Sequence, residues 1–165
     1  MKKIILMLMM FAPMATFAQK FGHVDTQAIM QSLPELSKVN GELEALSKQY
    51  QNELEGMQRE IQTKMDAYQK QQSTMNETQK KETEAELNKL YEKFQQAQQD
   101  NGNAFQKAQQ EKIQPIQEKV FKAIENVGKA GGYVYIMQTG SLPYISSTLS
   151  KDLTTEVKAE LNKMK

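Results

Sequence analysis

One histidine and no cysteine leave this chain of 165 residues few side chains that could do chemistry. His23 stands two residues from Asp25, and a strand there would set both side chains on one face, the arrangement of a base and its orienting acid. Glu35 is the other acid nearby. No nucleophile sits with them in a recognisable motif, so a strand position near an oligomer core accounts for His23 better than catalysis does. The absence of cysteine removes disulfides, thiol chemistry and Cys-ligated metal sites together. Neither a glycine-rich phosphate loop nor a metal-ligand spacing occurs. The many glutamates alternate with lysines and read as solvated helix faces carrying i,i+4 pairs. Asn76-Glu77-Thr78 matches a glycosylation sequon, a frequent accident. The sequence therefore predicts no catalytic residue, no metal and no cofactor.

What surrounds these residues begins with a leader. Met1-Lys2-Lys3 is basic, residues 4–11 are an uncharged apolar run, and Ala15-Thr16-Phe17-Ala18 ends in a small-x-small pattern. This is a secretory signal peptide over residues 1–18, with cleavage expected after Ala18. The run is too short to span a bilayer, which takes roughly 20 apolar residues, and no later stretch approaches that length. Losing the two leader lysines leaves 19 basic against 20 acidic residues, a mature charge of −1. That balance predicts no nucleic-acid partner, since such proteins carry a basic footprint.

The middle of the chain, from about residue 35 to 129, is rich in Gln, Glu, Lys and Ala. Leu36, Val39, Leu43, Leu46, Tyr50, Leu54, Met57, Ile61, Met65 and Tyr68 recur in steps of three and four. A second stripe runs from Leu87 and Leu90 through Phe94, Phe105, Ile113 and Ile116 to Val127. Each is the narrow seam of a coiled coil. The stripe thins between Met75 and Leu87, which predicts an antiparallel hairpin over residues 35–115 with its tip near 76–82. A fold-back near residue 78 sets Gly56 against Gly102 and Gly41 against Pro115. Glycine costs a helix interior about 1 kcal/mol and proline about 3, so these four positions are expected to be soft points, with Gly56 and Gly102 as a hinge. Met57, Met65 and Met75, with Tyr68, lie on the outer half of the first helix, and flexible Met suits varied apolar partners. The abundant glutamines add neutral amides able to touch an unfolded chain without holding it too strongly.

The ends of the chain supply a foundation. Phe21-Gly22-His23-Val24-Asp25 reads as a strand. The segments Gly132-Tyr133-Val134-Tyr135-Ile136-Met137 and Leu142-Pro143-Tyr144-Ile145-Ser146 flank Thr139-Gly140-Ser141 and read as a β-hairpin. Residues 150–165 read as a helix bearing Leu153, Val157 and Leu161, capped by Ser150 or Asp152. The expected fold class is α+β, with a small β-body from residues 19–34 and 116–165. So small a sheet has little core, and oligomerisation would complete it. Phe21, Val24, Tyr133, Tyr135, Ile136, Leu142, Ile145, Leu153 and Val157 are the candidate body residues.

In the order of these motifs the mature chain resembles the OmpH/Skp family of periplasmic chaperones. The carriers are Phe21-Gly22-His23-Val24-Asp25-Thr26-Gln27, Pro34-Glu35 at the helix start, Gly132-Tyr133-Val134-Tyr135-Ile136-Met137, and Lys151-Asp152-Leu153-Thr154 with Val157. The resemblance implies a periplasmic homotrimer with three helical arms on a β-body. It also implies a cavity between the arms that holds unfolded outer-membrane β-barrel proteins without ATP. The family's best-known members are strongly basic. Here Arg59, Lys64, Lys70, Lys80 and Lys81 are balanced by Glu60, Asp66, Glu77, Glu82 and Glu84, so weak or no direct membrane binding is expected. A structural coiled-coil spacer or adaptor of the envelope is the alternative function.

Overall fold

The computed structural model describes residues 19–164, and the leader expected over residues 1–18 lies outside them. In chain order come β1 (Lys20–Val24), α1 (Thr26–Gln31), α2 (Pro34–Gln71), α3 (Glu77–Gly131), β2 (Tyr133–Gln138), β3 (Ser150–Asp152) and α4 (Thr154–Lys163). Two long helices and a small sheet built from both ends of the chain make the expected α+β class. The short α1, between β1 and the hairpin, has no counterpart in the sequence reading. The described residues form two compact units, one of residues 19–26 with 122–164 and the other Gln27–Phe121.

The second unit is the hairpin. Pro34 opens α2, where its fixed φ suits the first turn and its missing N–H is not needed, and Glu35 follows it in that turn. The helix continues for 38 residues and α3 for 55, about 57 and 82 Å at 1.5 Å per residue. Residues 72–76 join them. α3 then starts at Glu77 because Asn76 and Gln79 cap it reciprocally. Asn76 Oδ1 accepts from the Gln79 N–H at 2.9 Å, and Gln79 Oε1 accepts from the Asn76 N–H at 3.0 Å. The expected tip at 76–82 is thus corrected to 72–76. What looked like a polar loop is a capping box and the first turn of α3.

That shift changes the pairing along the hairpin. Glu35 meets Lys119 at 2.8 Å, Glu42 meets Lys112 at 2.5 Å and Glu53 accepts from Asn101 at 3.2 Å. Nearer the turn Lys64 pairs with Glu86, and Tyr68 donates to Glu84 at 2.5 Å. Partners therefore have numbers totalling 150 to 154. Gly56 and Gly102 total 158, an offset of about four residues or 6 Å of rise, and Gly41 and Pro115 miss by about two residues. The soft points are staggered, not level. Leu43, Ile61, Leu87 and Ile116 are buried, while most of the remaining stripe is half-buried, as a seam with no third layer must be. Pro115 sits inside α3 without breaking it, though it has no N–H to give the Glu111 carbonyl.

The first unit contains the sheet, in order β2-β1-β3 with both neighbours parallel to β1. Phe21 pairs with Tyr135 and Ser150, Gly22 with Ile136 and Lys151, and His23 with Met137 and Asp152. The expected β-hairpin is not there. Tyr133–Gln138 is a strand, but residues 142–146 are not, and the third strand is Ser150–Asp152. A tight turn makes only antiparallel neighbours. Here a short 3-10 turn at Thr139–Ser141 opens a longer connection that returns the chain to the far side of β1. Pro143, without an N–H, would also break a ladder there.

Helix α3 stops at Gly132, whose φ of +67 is the left-handed conformation that terminates helices. Ile136 then packs over Gly128, where a Cβ would stand 3.1 Å from its Cδ1. On β1, Gly22 lies under Leu153, whose Cδ1 would be 2.5 Å from a Cβ at that position. The His23 carbonyl accepts the Leu153 N–H at 2.9 Å. Asp152 Oδ1 accepts from the Thr154 N–H at 2.9 Å and its hydroxyl at 2.6 Å, a side-chain turn that leads into α4 at Thr154, while Ser150 belongs to β3. Val24, Ala123, Leu153, Val157 and Leu161 are the buried core of this unit.

Candidate functional site

The residues singled out for chemistry meet differently from the sequence reading. β1 ends at Val24, so Asp25 lies beyond the sheet, where its N–H donates to Thr154 Oγ1 at 3.0 Å. His23 instead meets Ser150, with Nδ1 and Oγ 2.9 Å apart. Only the pairing of β1 with β3, across 127 positions, brings them together. Asp152, beside His23 in the register, has its carboxyl lowered by hydrogen bonds from the Thr154 hydroxyl and N–H. Among the described residues no group of three His, Cys, Asp or Glu could hold a metal ion. No helix of the described residues is long and apolar enough to cross a membrane.

On the hairpin, Met57, Met65, Met75 and Tyr68 are all half-buried. The Tyr68 hydroxyl is committed to Glu84, and that bond to a carboxylate, followed by desolvation, raises the phenol above its ordinary pKa. The three Met side chains keep part of their surface accessible. Tyr91 is the more exposed aromatic of this stretch, and the sequence stripe passed over it. A Cβ at Gly41, Gly56 or Gly102 would meet nothing within 4 Å. No close approach of the helices requires glycine at these positions. What glycine does supply there is backbone freedom.

The candidate body residues sort into two groups. Val24, Leu153 and Val157 lie in the unit's own core. Phe21 and Tyr135 stack at 6.0 Å between ring centroids on the open face of the sheet. With Met137, Leu142, Tyr144 and Leu149 they line a shallow apolar groove. Tyr135 is 61% exposed, Leu149 75% and Tyr144 79%. Ile145 borders the groove, and Tyr133 and Ile136 are half-buried. Alternation in the sequence had marked residues 142–146 as a strand, and their actual place is along this groove. Met137, Tyr144 and Leu149 were not among the expected residues, because a parallel crossover leaves no local sequence signal.

Residues 20–161 match the family Outer membrane protein (OmpH-like). The chain belongs to that family. Its fold is similar to a crystal structure from Caulobacter crescentus CB15, whose protein is described as an OmpH-like outer membrane chaperone. The TM-score is 0.76 at 15% identity, covering 89% of this chain and 86% of that one. Among curated proteins none matches. The OmpH-like assignment accounts for both units at once, since the matched residues run from β1 into α4.

Proposed function

We propose that this OmpH-like chain is an ATP-independent periplasmic holdase that binds unfolded outer-membrane β-barrel proteins and prevents their aggregation. The observation that carries it is the hairpin. Two long helices share a seam with only a handful of fully buried residues, and the rest of their surface is polar or half-buried apolar. Such a surface can touch a client over a great length while each contact stays weak. Unfolded barrel proteins expose alternating apolar residues and unpaired strand edges, both of which aggregate in water. A holdase that favours this state releases it when folding in the membrane withdraws it.

In this proposal the chain works as a homotrimer joined through the open sheet face. Monomeric proteins rarely leave so much contiguous apolar surface uncovered, and Phe21, Tyr135, Tyr144 and Leu149 supply it. The glycines at 41, 56 and 102, with Pro115, let the arms bend around clients of different size. Near-neutral charge leaves little drive toward anionic lipid. The test is dilution of a denatured outer-membrane barrel protein into buffer with and without the mature chain. Aggregation is expected to fall at a slight molar excess of trimer. Unchanged aggregation would leave the spacer or adaptor reading in front.

A further inference from the structure

The middle of α3 carries a face of a single chemical kind. At 100° per residue, Gln95, Gln99, Gln106, Gln110, Ile113 and Gln117 fall within a sector about 60° wide. These glutamines are exposed, and Gln106, Gln110, Ile113 and Gln117 line one shallow groove with Gln109 and Gln114. The charges of the same stretch lie outside the sector and are engaged with one another. Lys107 pairs with Glu111 along the helix, and Lys112 pairs with Glu42 across the hairpin. Asp100 accepts from Gln96 at 2.9 Å. Among the described residues, the side chains of Gln95, Gln99, Gln106, Gln110 and Gln117 have no hydrogen-bond partner, whereas Gln114 donates to Glu118 at 2.8 Å. The sector is also not the seam, which Phe94, Ala97, Phe105 and Ala108 occupy on another side of the helix.

We infer that this face binds the backbone of an extended polypeptide, an inference that rests on the holdase reading above. The matching of charge carries it. A glutamine amide offers one carbonyl and one NH2 group, the same acceptor and donor chemistry as a peptide group. An uncharged face is complementary to an uncharged backbone and indifferent to the client's side-chain charges. Nucleic acid would require cations to meet its phosphates, and the sector has none. A folded partner would need apolar or aromatic anchors, and Ile113 stands alone. The spacing fits as well. Within the pairs Gln95/Gln99 and Gln106/Gln110 the glutamines stand four residues apart, about 6 Å of helix rise, while groups on one edge of an extended chain recur about every 6.6–6.8 Å. A flexible Gln side chain bridges that difference.

The experiment uses the full mature chain and a denatured barrel protein of known aggregation rate. First, the unaltered protein must suppress aggregation; if it does not, the holdase reading fails and this inference with it. Second, Gln99→Ala, Gln106→Ala, Gln110→Ala and Gln117→Ala are combined. All four positions are exposed and Ala is the best helix former, so the arm keeps its helicity by circular dichroism. Client affinity is expected to fall about tenfold, while Lys107→Ala with Glu111→Ala changes it less than about twofold. Affinity of the unaltered chain should hold from about 50 to about 500 mM salt, because no ion pair carries it. A photo-crosslinker at position 106 or 110 should capture client more than one at 107 or 111. Full affinity in the quadruple variant, alongside an active unaltered chain, overturns the inference and leaves the holdase standing. Crosslinks joining two copies of the chain without client would overturn it too, by making the face a chain–chain contact.

Discussion

The two units of this chain hold together in opposite ways. The sheet unit concentrates its stability in a few fully buried side chains, Val24, Leu153, Val157 and Leu161, and leaves an apolar face uncovered. The hairpin distributes stability along a half-buried stripe, with polar links between its helices set at intervals from Glu35–Lys119 to Lys64–Glu86. A concentrated core fixes one geometry and fails when one residue is removed. A distributed seam tolerates local change and can bend. Under the proposed function one unit anchors and the other adapts, and this contrast in how each buries its apolar atoms is what that proposal requires.

The widest expected contrast comes from core truncation. Leu153→Ala should destabilise the sheet unit by about 3 kcal/mol, within the range for fully buried leucine. Leu43→Ala in the hairpin should cost about 2 kcal/mol or less, because a seam open on its flanks collapses around the gap more readily. Urea unfolding at one fixed protein concentration measures both, since an oligomer's stability depends on concentration. Equal losses would break the contrast.

Glycine substitutions should change sign between the units. Gly22→Ala drives a Cβ into Leu153 and Tyr133 and should cost at least about 1 kcal/mol. Gly56→Ala and Gly102→Ala meet open space on helix interiors and should each stabilise by about 0.5–1 kcal/mol. The stabilised pair should also stiffen the arm. Spin labels near residues 72–76 that report unchanged mobility would remove the hinge from the proposal.

These contrasts also show what the sequence could and could not display. Both helices, β1 and β2 were legible, because their burial pattern is local and periodic. The turn was misplaced by several residues, since Asn76-Glu77-Thr78-Gln79 looks like a loop until Asn76 and Gln79 are seen to cap each other. The glycine pairings inherited that error. The third strand was unreadable for another reason. Ser150–Asp152 is three polar residues whose strand character comes wholly from pairing with β1, whereas Leu142 to Ile145 have strand-like composition and serve as a crossover. His23 with Ser150 was hidden likewise, by a separation no local pattern spans.

Acid should separate the units next. The Asp152 carboxyl, lowered by its bonds from Thr154, contributes stability above the unfolded value near 3.8 and loses it as pH falls through the lower folded value. Asp152→Asn should therefore be less stable than the unaltered chain at pH 6, by about 1 kcal/mol at most, a typical cap contribution. The difference should vanish near pH 2. In the same unit Glu125 is held at about 2 by Lys129 and Lys122, so it keeps its charge through most of that range. On the hairpin, Lys112 lowers Glu42 through a hydrogen bond and its charge, but the carboxyl lies at the solvent-exposed surface and its loss should hardly move the melt. A difference at pH 6 that persists undiminished to pH 2 would mean that Asp152 acts by shape and not by charge.

The smallest effect is the one that defines the hairpin's design. Lys119→Met removes the link to Glu35 while keeping an unbranched stem of similar length. The expected loss is below about 1 kcal/mol and should shrink further in high salt, because both side chains are partly exposed. Taken singly, each such link is dispensable. Taken together they specify register: α2 offers acids at Glu35, Glu42 and Glu53, then Lys64, while α3 offers Lys119, Lys112 and Asn101, then Glu86. A slip of one heptad would keep one acid–lysine pair, Glu42 with Lys119 or Glu35 with Lys112, and lose the other links, so the links act on alternatives more than on the native state. Reversing one link, with Glu35→Lys and Lys119→Glu together, should restore the melt that either change alone lowers. Failure of that rescue would show that Lys119 contributes through its packed stem and not through the pairing, and the hairpin would then owe its register to the apolar stripe alone.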